Sequence, residues 1–175
     1  MSFGRWFEQA PYLPQCGAMA KTPHAARLGK LPTHAQYAAV ELFRGTMTKH
    51  NFIAYRDDYP REYQPIQLGD ERASSRNRDR WRHYIPLRLP WCVCLRERLP
   101  PNAMAILIDR AHTYPDLALP LDAVQDRLFG AIDGKRDLGE ILQIAGEENN
   151  KKRALKFFKR LWQYDQVVFD ASNSM

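Results

Sequence analysis

No two glycines in this chain stand two residues apart, for they occur at 4, 17, 29, 45, 69, 130, 134, 139 and 146. A G-x-G turn, through which a backbone approaches a dinucleotide or S-adenosylmethionine, is therefore absent. The P-loop lysine motif and the G-x-S-x-G elbow are missing as well. The five histidines, His24, His34, His50, His83 and His112, are scattered, and none falls four residues from another, so no helical metal pair exists. Only three cysteines occur, Cys16, Cys92 and Cys94, an odd number without disulfide spacing. Cys92 and Cys94 would share one strand face, but a zinc site needs about four ligands and no second pair follows. Reduced, buried thiols in a cytoplasmic protein are the expectation. No apolar run approaches the roughly 20 residues of a membrane span, and Met1-Ser2-Phe3-Gly4-Arg5-Trp6 lacks the basic and apolar regions of a signal peptide.

What is present is one domain's worth of chain, or two small ones, at 175 residues. Hydrophobic residues at 45% and charged ones at 26% give an ordinary globular composition rather than a disordered one. Lys and Arg outnumber Asp and Glu by 26 to 20, and the resulting +6 favours acidic partners without naming one. Residues 1–55 read as helical with interruptions at Pro11, Pro14, Pro23 and Pro32. The best helix there starts at a capping Thr33 and runs to about Lys49, with Gly45 its weakest point. Residues 56–84 read as a linker or mobile loop. Arg72, Arg76, Arg78, Arg80 and Arg82 lie there beside Trp81 and Tyr84, a composition that suits phosphates and stacked bases, although Asp70, Glu71 and Asp79 dilute it.

From Ile85 the pattern becomes compact. Extended runs at 89–97, 103–109 and 116–121 are separated by Leu99-Pro100-Pro101-Asn102 and Tyr114-Pro115-Asp116, both good turn chemistry. Asp122 can cap a helix carrying Val124, Leu128, Ala131 and Ile132 that ends at Asp133-Gly134. Asp137 and Glu140 have capping-box spacing ahead of a second helix with Leu138, Ile141, Leu142 and Ala145 inward. A third helix spans about 148–164, with Leu155, Phe158, Leu161 and Trp162 apolar. A final strand covers 166–170. Strand, strand, strand, helix, helix, helix, strand is a winged-helix plan. His112 with Asp109 is the one acid–base candidate, against the simpler reading of a structural histidine.

Two stretches carry a resemblance. Pro23-His24-Ala25-Ala26-Arg27-Leu28-Gly29 with Glu41-Leu42-Phe43-Arg44-Gly45-Thr46-Met47, and the region from Ile85 to Pro115, resemble the accessory region of some bacterial S-adenosylmethionine-dependent methyltransferases. The region from Leu128 to Phe169 is similar to the PqqD-like winged helix, a peptide-binding module of modified-peptide biosynthesis. The fold expected is α+β: an irregular helical N-terminal region (1–55), a loop (56–84), and a winged-helix domain with a small antiparallel sheet (85–175).

The resemblance implies a non-catalytic module that binds a peptide or protein partner in a methyltransferase system, without a cofactor of its own. An extended peptide would pair with a strand edge beside the third helix. The expected peptide site is Asp116, Leu117 and Leu119 on that edge, with Lys152, Lys156 and Lys159 on the helix. Two alternatives stay open. One is a winged-helix nucleic-acid binder using Lys151, Lys152, Arg153, Lys156, Lys159 and Arg160 on its third helix. The other is a detached part of a methyltransferase. No membrane partner is expected.

Without a glycine-rich turn, Cβ atoms block close approach to the cofactor, so the chain alone should bind no S-adenosylmethionine. Calorimetry checks this, and micromolar binding to the isolated chain would overturn it.

Overall fold

The computed structural model describes residues 2–6, 8–45, 47, 49–58, 66–68, 79–111 and 114–172. The fold is α+β with small antiparallel sheets. Strand β1 (Ser2–Trp6) pairs antiparallel with β2 (Phe52–Tyr55), Ser2 opposite Tyr55 and Trp6 opposite Phe52. The ends of the region expected to be helical are therefore strands. Their partners lie some 50 residues apart in the chain, beyond the reach of any local periodicity.

Between them lie a short helix α1 (Ala25–Leu28) and the longer α2 (Thr33–Arg44). Pro32 takes the N-cap position of α2 and Thr33 makes no capping bond, because Pro32 already holds the extended geometry that a helix start requires. Gly45 ends α2 in the left-handed region at φ 66, and its N–H donates to the Glu41 carbonyl. The helix thus stops before Lys49, and Gly45 acts as a terminator.

The three consecutive extended runs form one sheet, β4 (Cys92–Leu95), β5 (Ala105–Asp109) and β6 (Leu119–Leu121), with β5 central. Cys94 stands opposite Leu107, which stands opposite Leu119, so these three share the inward face. The final strand β7 (Val167–Asp170) pairs instead with β3 (Ile85–Arg88), in a separate two-stranded sheet. Pro86 in β3 disguised that strand, yet with a single partner β3 needs no donor on its other side.

Helices α3 (Ala123–Gly130), α4 (Leu138–Ala145) and α5 (Lys151–Gln163) share one apolar cluster with the three-stranded sheet. Both expected acidic caps form. Asp122 accepts from the Val124 and Gln125 N–H groups, Asp137 accepts from the Glu140 N–H, and the Gln125 and Glu140 side chains return the bond to each cap residue. These boxes satisfy donors at two helix starts and set each start to a single residue.

One apolar cluster gathers Leu107, Leu119, Leu128, Leu138, Ile141, Phe158 and Leu161, and it also includes Ala10, Leu13 and Cys16 from the N-terminal region. Within the expected loop, residues Arg80–His83 form a 3-10 turn. Trp81, 3% exposed, and Tyr84 are buried in the same cluster, so neither can stack on a base. Arg72, Arg76 and Arg78 lie outside the described residues, as does His112.

On α5 the buried side chains are Ala154, Phe157, Phe158 and Leu161, while Leu155 and Trp162 are half-buried at the border of the core. Phe158→Ala should therefore lower stability by about 3–5 kcal/mol, the range for a fully buried aromatic, and Trp162→Ala by roughly half as much. Urea midpoints of the two variants check the ranking, and equal midpoints would contradict it.

Candidate functional site

Asp116 lies in a 3-10 turn, Pro115–Leu117, just ahead of β6. Its carboxylate is fully engaged within the molecule. Arg44 Nη1 and Nη2 donate to Oδ1 and Oδ2 at 3.1 and 3.2 Å, and the Ala18 N–H donates to Oδ2 at 2.6 Å. Arg44 in turn donates from Nε to the Pro11 carbonyl at 2.8 Å and stacks its guanidinium 4.6 Å from the Tyr114 ring centre. Although burial pushes the Asp116 carboxyl up, the bonds from Arg44 and Ala18 outweigh it and hold the group below the usual carboxylate range.

Gly17 completes this clamp at φ +60, and a Cβ there would collide with Asp116 Oδ2. Leu117 and Leu119 are core residues at 1% and 0% exposure. β6 ends its sheet with three residues, and Pro120 at its middle has no N–H to donate. In the strand half of the expected peptide site, Leu117 and Leu119 thus face the interior and the half-buried Asp116 is bonded within the molecule.

The other half faces solvent. Lys152, Lys156 and Lys159 are exposed on the side of α5 opposite Ala154, Phe157, Phe158 and Leu161. At about 100° per residue, Lys152, Lys156, Lys159 and Gln163 fall within roughly 60° of one another and form a crest. The cations flanking them are already matched: Lys151 Nζ lies 3.4 Å from Asp79 Oδ2, and Arg153 Nη2 lies 3.0 Å from Asp122 Oδ2. Arg160 sits 5.5 Å from the Tyr164 ring centre. The three crest lysines have no ion pair among the described residues. Like charges at i,i+4 destabilise a helix by about 0.2–0.5 kcal/mol per pair, so this crest is costly to the isolated helix. At the N-terminal end of α5, Glu148, Asn149, Asn150, Lys151, Lys152 and Arg153 line a shallow concavity continuous with it.

Against this geometry, no protein-family model matches the chain, and no curated protein matches its sequence. The site therefore rests on the chain's own residues.

One further group of titratable side chains was not singled out from the sequence. The Tyr12 hydroxyl bonds to His50 Nδ1, and His50 Nε2 lies 3.7 Å from Glu41 Oε1. The layout is that of an acid–base relay, but Tyr12 is 3% exposed and burial pushes its phenol up to about 12. It stays protonated, and the three residues act as a clasp between α2 and the segments on either side. Among the described residues no group of three or more metal-ligating side chains occurs. The thiols of Cys16 and Cys92 are each pushed up to about 12 by burial, which keeps them unreactive.

Asp109 closes β5 facing inward at 5% exposure, with Oδ1 accepting from the Ala111 N–H at 2.7 Å. Burial pushes its carboxyl up to about 6, helped by the charge of Glu8 and opposed by bonds from Ala111 and Trp91. Because the folded state holds this proton more tightly than the unfolded chain, the group's contribution to stability falls as pH rises from about 4 to 6 and is flat beyond. Asp109→Asn keeps the acceptor for Ala111 and removes the buried charge. It should stabilise the protein at pH 8 by on the order of 1 kcal/mol, with the gain gone by pH 4. Thermal melts of both proteins across that range check it.

Proposed function

We propose that this chain is a non-catalytic binding module that recognises an acidic peptide or protein segment through the crest of α5. The observation that carries the reading is the row of Lys152, Lys156 and Lys159, which have no ion pair among the described residues, on a helix whose Lys151 and Arg153 are already matched. Charge left uncompensated on one face, while adjacent charges are neutralised internally, favours an anionic partner at that face. The order β4, β5, β6, α3, α4, α5, β7 is compatible with the PqqD-like winged helix, and so supports a peptide as the ligand class. The resemblance at 23–29, 41–47 and 85–115 supports an association with a methyl-transfer system, in which the catalytic centre lies on another chain.

A nucleic-acid ligand is the competing reading, since α5 is the third helix of the plan and basic. The crest adds only Gln163 to its lysines as a base-reading side chain, and the aromatics Trp81 and Tyr84 are in the core.

Fluorescence anisotropy with a labelled glutamate-rich peptide and a 20-base-pair DNA duplex, at 50 and 200 mM salt, tests the proposal. The peptide should bind, and the Lys152→Glu/Lys156→Glu/Lys159→Glu variant should lose at least tenfold in affinity with unchanged far-ultraviolet circular dichroism. Binding of the duplex alone, or a charge-reversed variant that binds the peptide as the parent does, would overturn it.

A further inference from the structure

The geometry points to an acidic amphipathic α-helix, laid along α5, as the form in which the partner binds; this rests on the peptide-binding reading above. At the edge expected from the sequence, an extended peptide has little to pair with. β6 offers three residues interrupted by Pro120, and the turn before it is closed by Asp116, Arg44 and Ala18. The outer surface of α5 is a different matter. Lys152, Leu155, Lys159 and Trp162 follow one another at intervals of three, four and three, the spacing of a heptad seam. Leu155 and Trp162 are half-buried, so each retains apolar surface at the solvent boundary next to the crest.

A helix presents side chains at the same three- and four-residue intervals, and two such surfaces interdigitate along a shared seam. The seam from Lys152 to Trp162 is about 15 Å long at 1.5 Å per residue, which three turns of a partner helix cover. In a strand, side chains on one face repeat every ~6.8 Å. The crest lysines rise by about 6 and 4.5 Å along the axis, so a strand's carboxylates would drift out of register while those of a helix stay aligned. The charge pattern fits as well. Carboxylates spaced i, i+4 and i+7 on the partner meet the lysines, and an adjoining Leu or Met stripe covers Leu155 and Trp162. A phosphate backbone would leave that apolar border uncovered.

The test uses the full chain and two labelled 14-residue peptides, each with glutamates at i, i+4 and i+7 beside a leucine stripe. They differ only in a central Ala→Pro replacement that breaks the helix at constant charge. Anisotropy should show the helical peptide binding at least tenfold more tightly, with helical circular dichroism gained on binding. Lys159→Glu should lose the helical peptide, and a peptide carrying Lys at the facing position should restore it. That charge swap involves no buried residue, so a folding defect cannot mimic the result. Equal affinity for the two peptides, or no rescue by the swapped charge, would overturn the helical partner while leaving the acidic-peptide reading in place. Absence of binding by both peptides at 50 mM salt would overturn both.

Discussion

The Asp116 carboxylate joins three segments that lie far apart in the chain. It holds Arg44 at the end of α2, the Ala18 N–H beyond the Gly17 turn, and its own backbone at the mouth of β6. Arg44 is nearly fully buried, its side chain 6% exposed, so its charge must be matched where it stands. The match is geometric as well as electrostatic, because the guanidinium also bonds to the Pro11 carbonyl and stacks on Tyr114. Gly17 has to be glycine for this arrangement, since both its φ of +60 and the position of Asp116 exclude a Cβ.

With that corner closed, residues 9–17 lie against the C-terminal end of α5. Gln9 donates to the Trp162 carbonyl, the Ala10 N–H to Asp165, and the Gly17 N–H to the Tyr164 hydroxyl. The α5 helix is thereby held at its end and along its apolar side. Only its outer side is left to solvent, and that side carries the lysines. Asp79 and Asp122 neutralise Lys151 and Arg153 on α5, while Lys152, Lys156 and Lys159 on the same helix have no ion pair among the described residues. The candidate site follows from which carboxylates the fold has already used.

Much of the C-terminal half was legible because its signals are local. Asp122 and Asp137, both readable as caps, form capping boxes with Gln125 and Glu140, although α3 ends at Gly130, ahead of the Asp133-Gly134 stop that the sequence suggests. The turns at 99–102 and 114–116 separate β4, β5 and β6, close to where their prolines place them. The amphipathic period of α5 identified Phe158 as core, although it undervalued Phe157, which lies on the same inward side. The candidate site was legible in part for the same reason: the crest is a periodic pattern, and Lys152, Lys156 and Lys159 are exposed as that period requires.

What the local pattern does not contain is the set of partners across long separations. The pairing of β1 with β2 and of β3 with β7, the burial of Trp81, and the capture of Asp116 by Arg44 each depend on residues 40 or more positions away. Composition, helix caps, turn chemistry and the faces of the helices were determined by the sequence alone, because each is set within one or two turns of chain. Tertiary structure decided which charges are satisfied and which strand edges are closed, because a carboxylate's partner is set by three-dimensional packing. Asp109 at the end of β5 and Asp116 in the turn ahead of β6 are the same residue type seven positions apart. Asp116 is ionised in a guanidinium clamp, and Asp109 has its carboxyl raised to about 6 by burial.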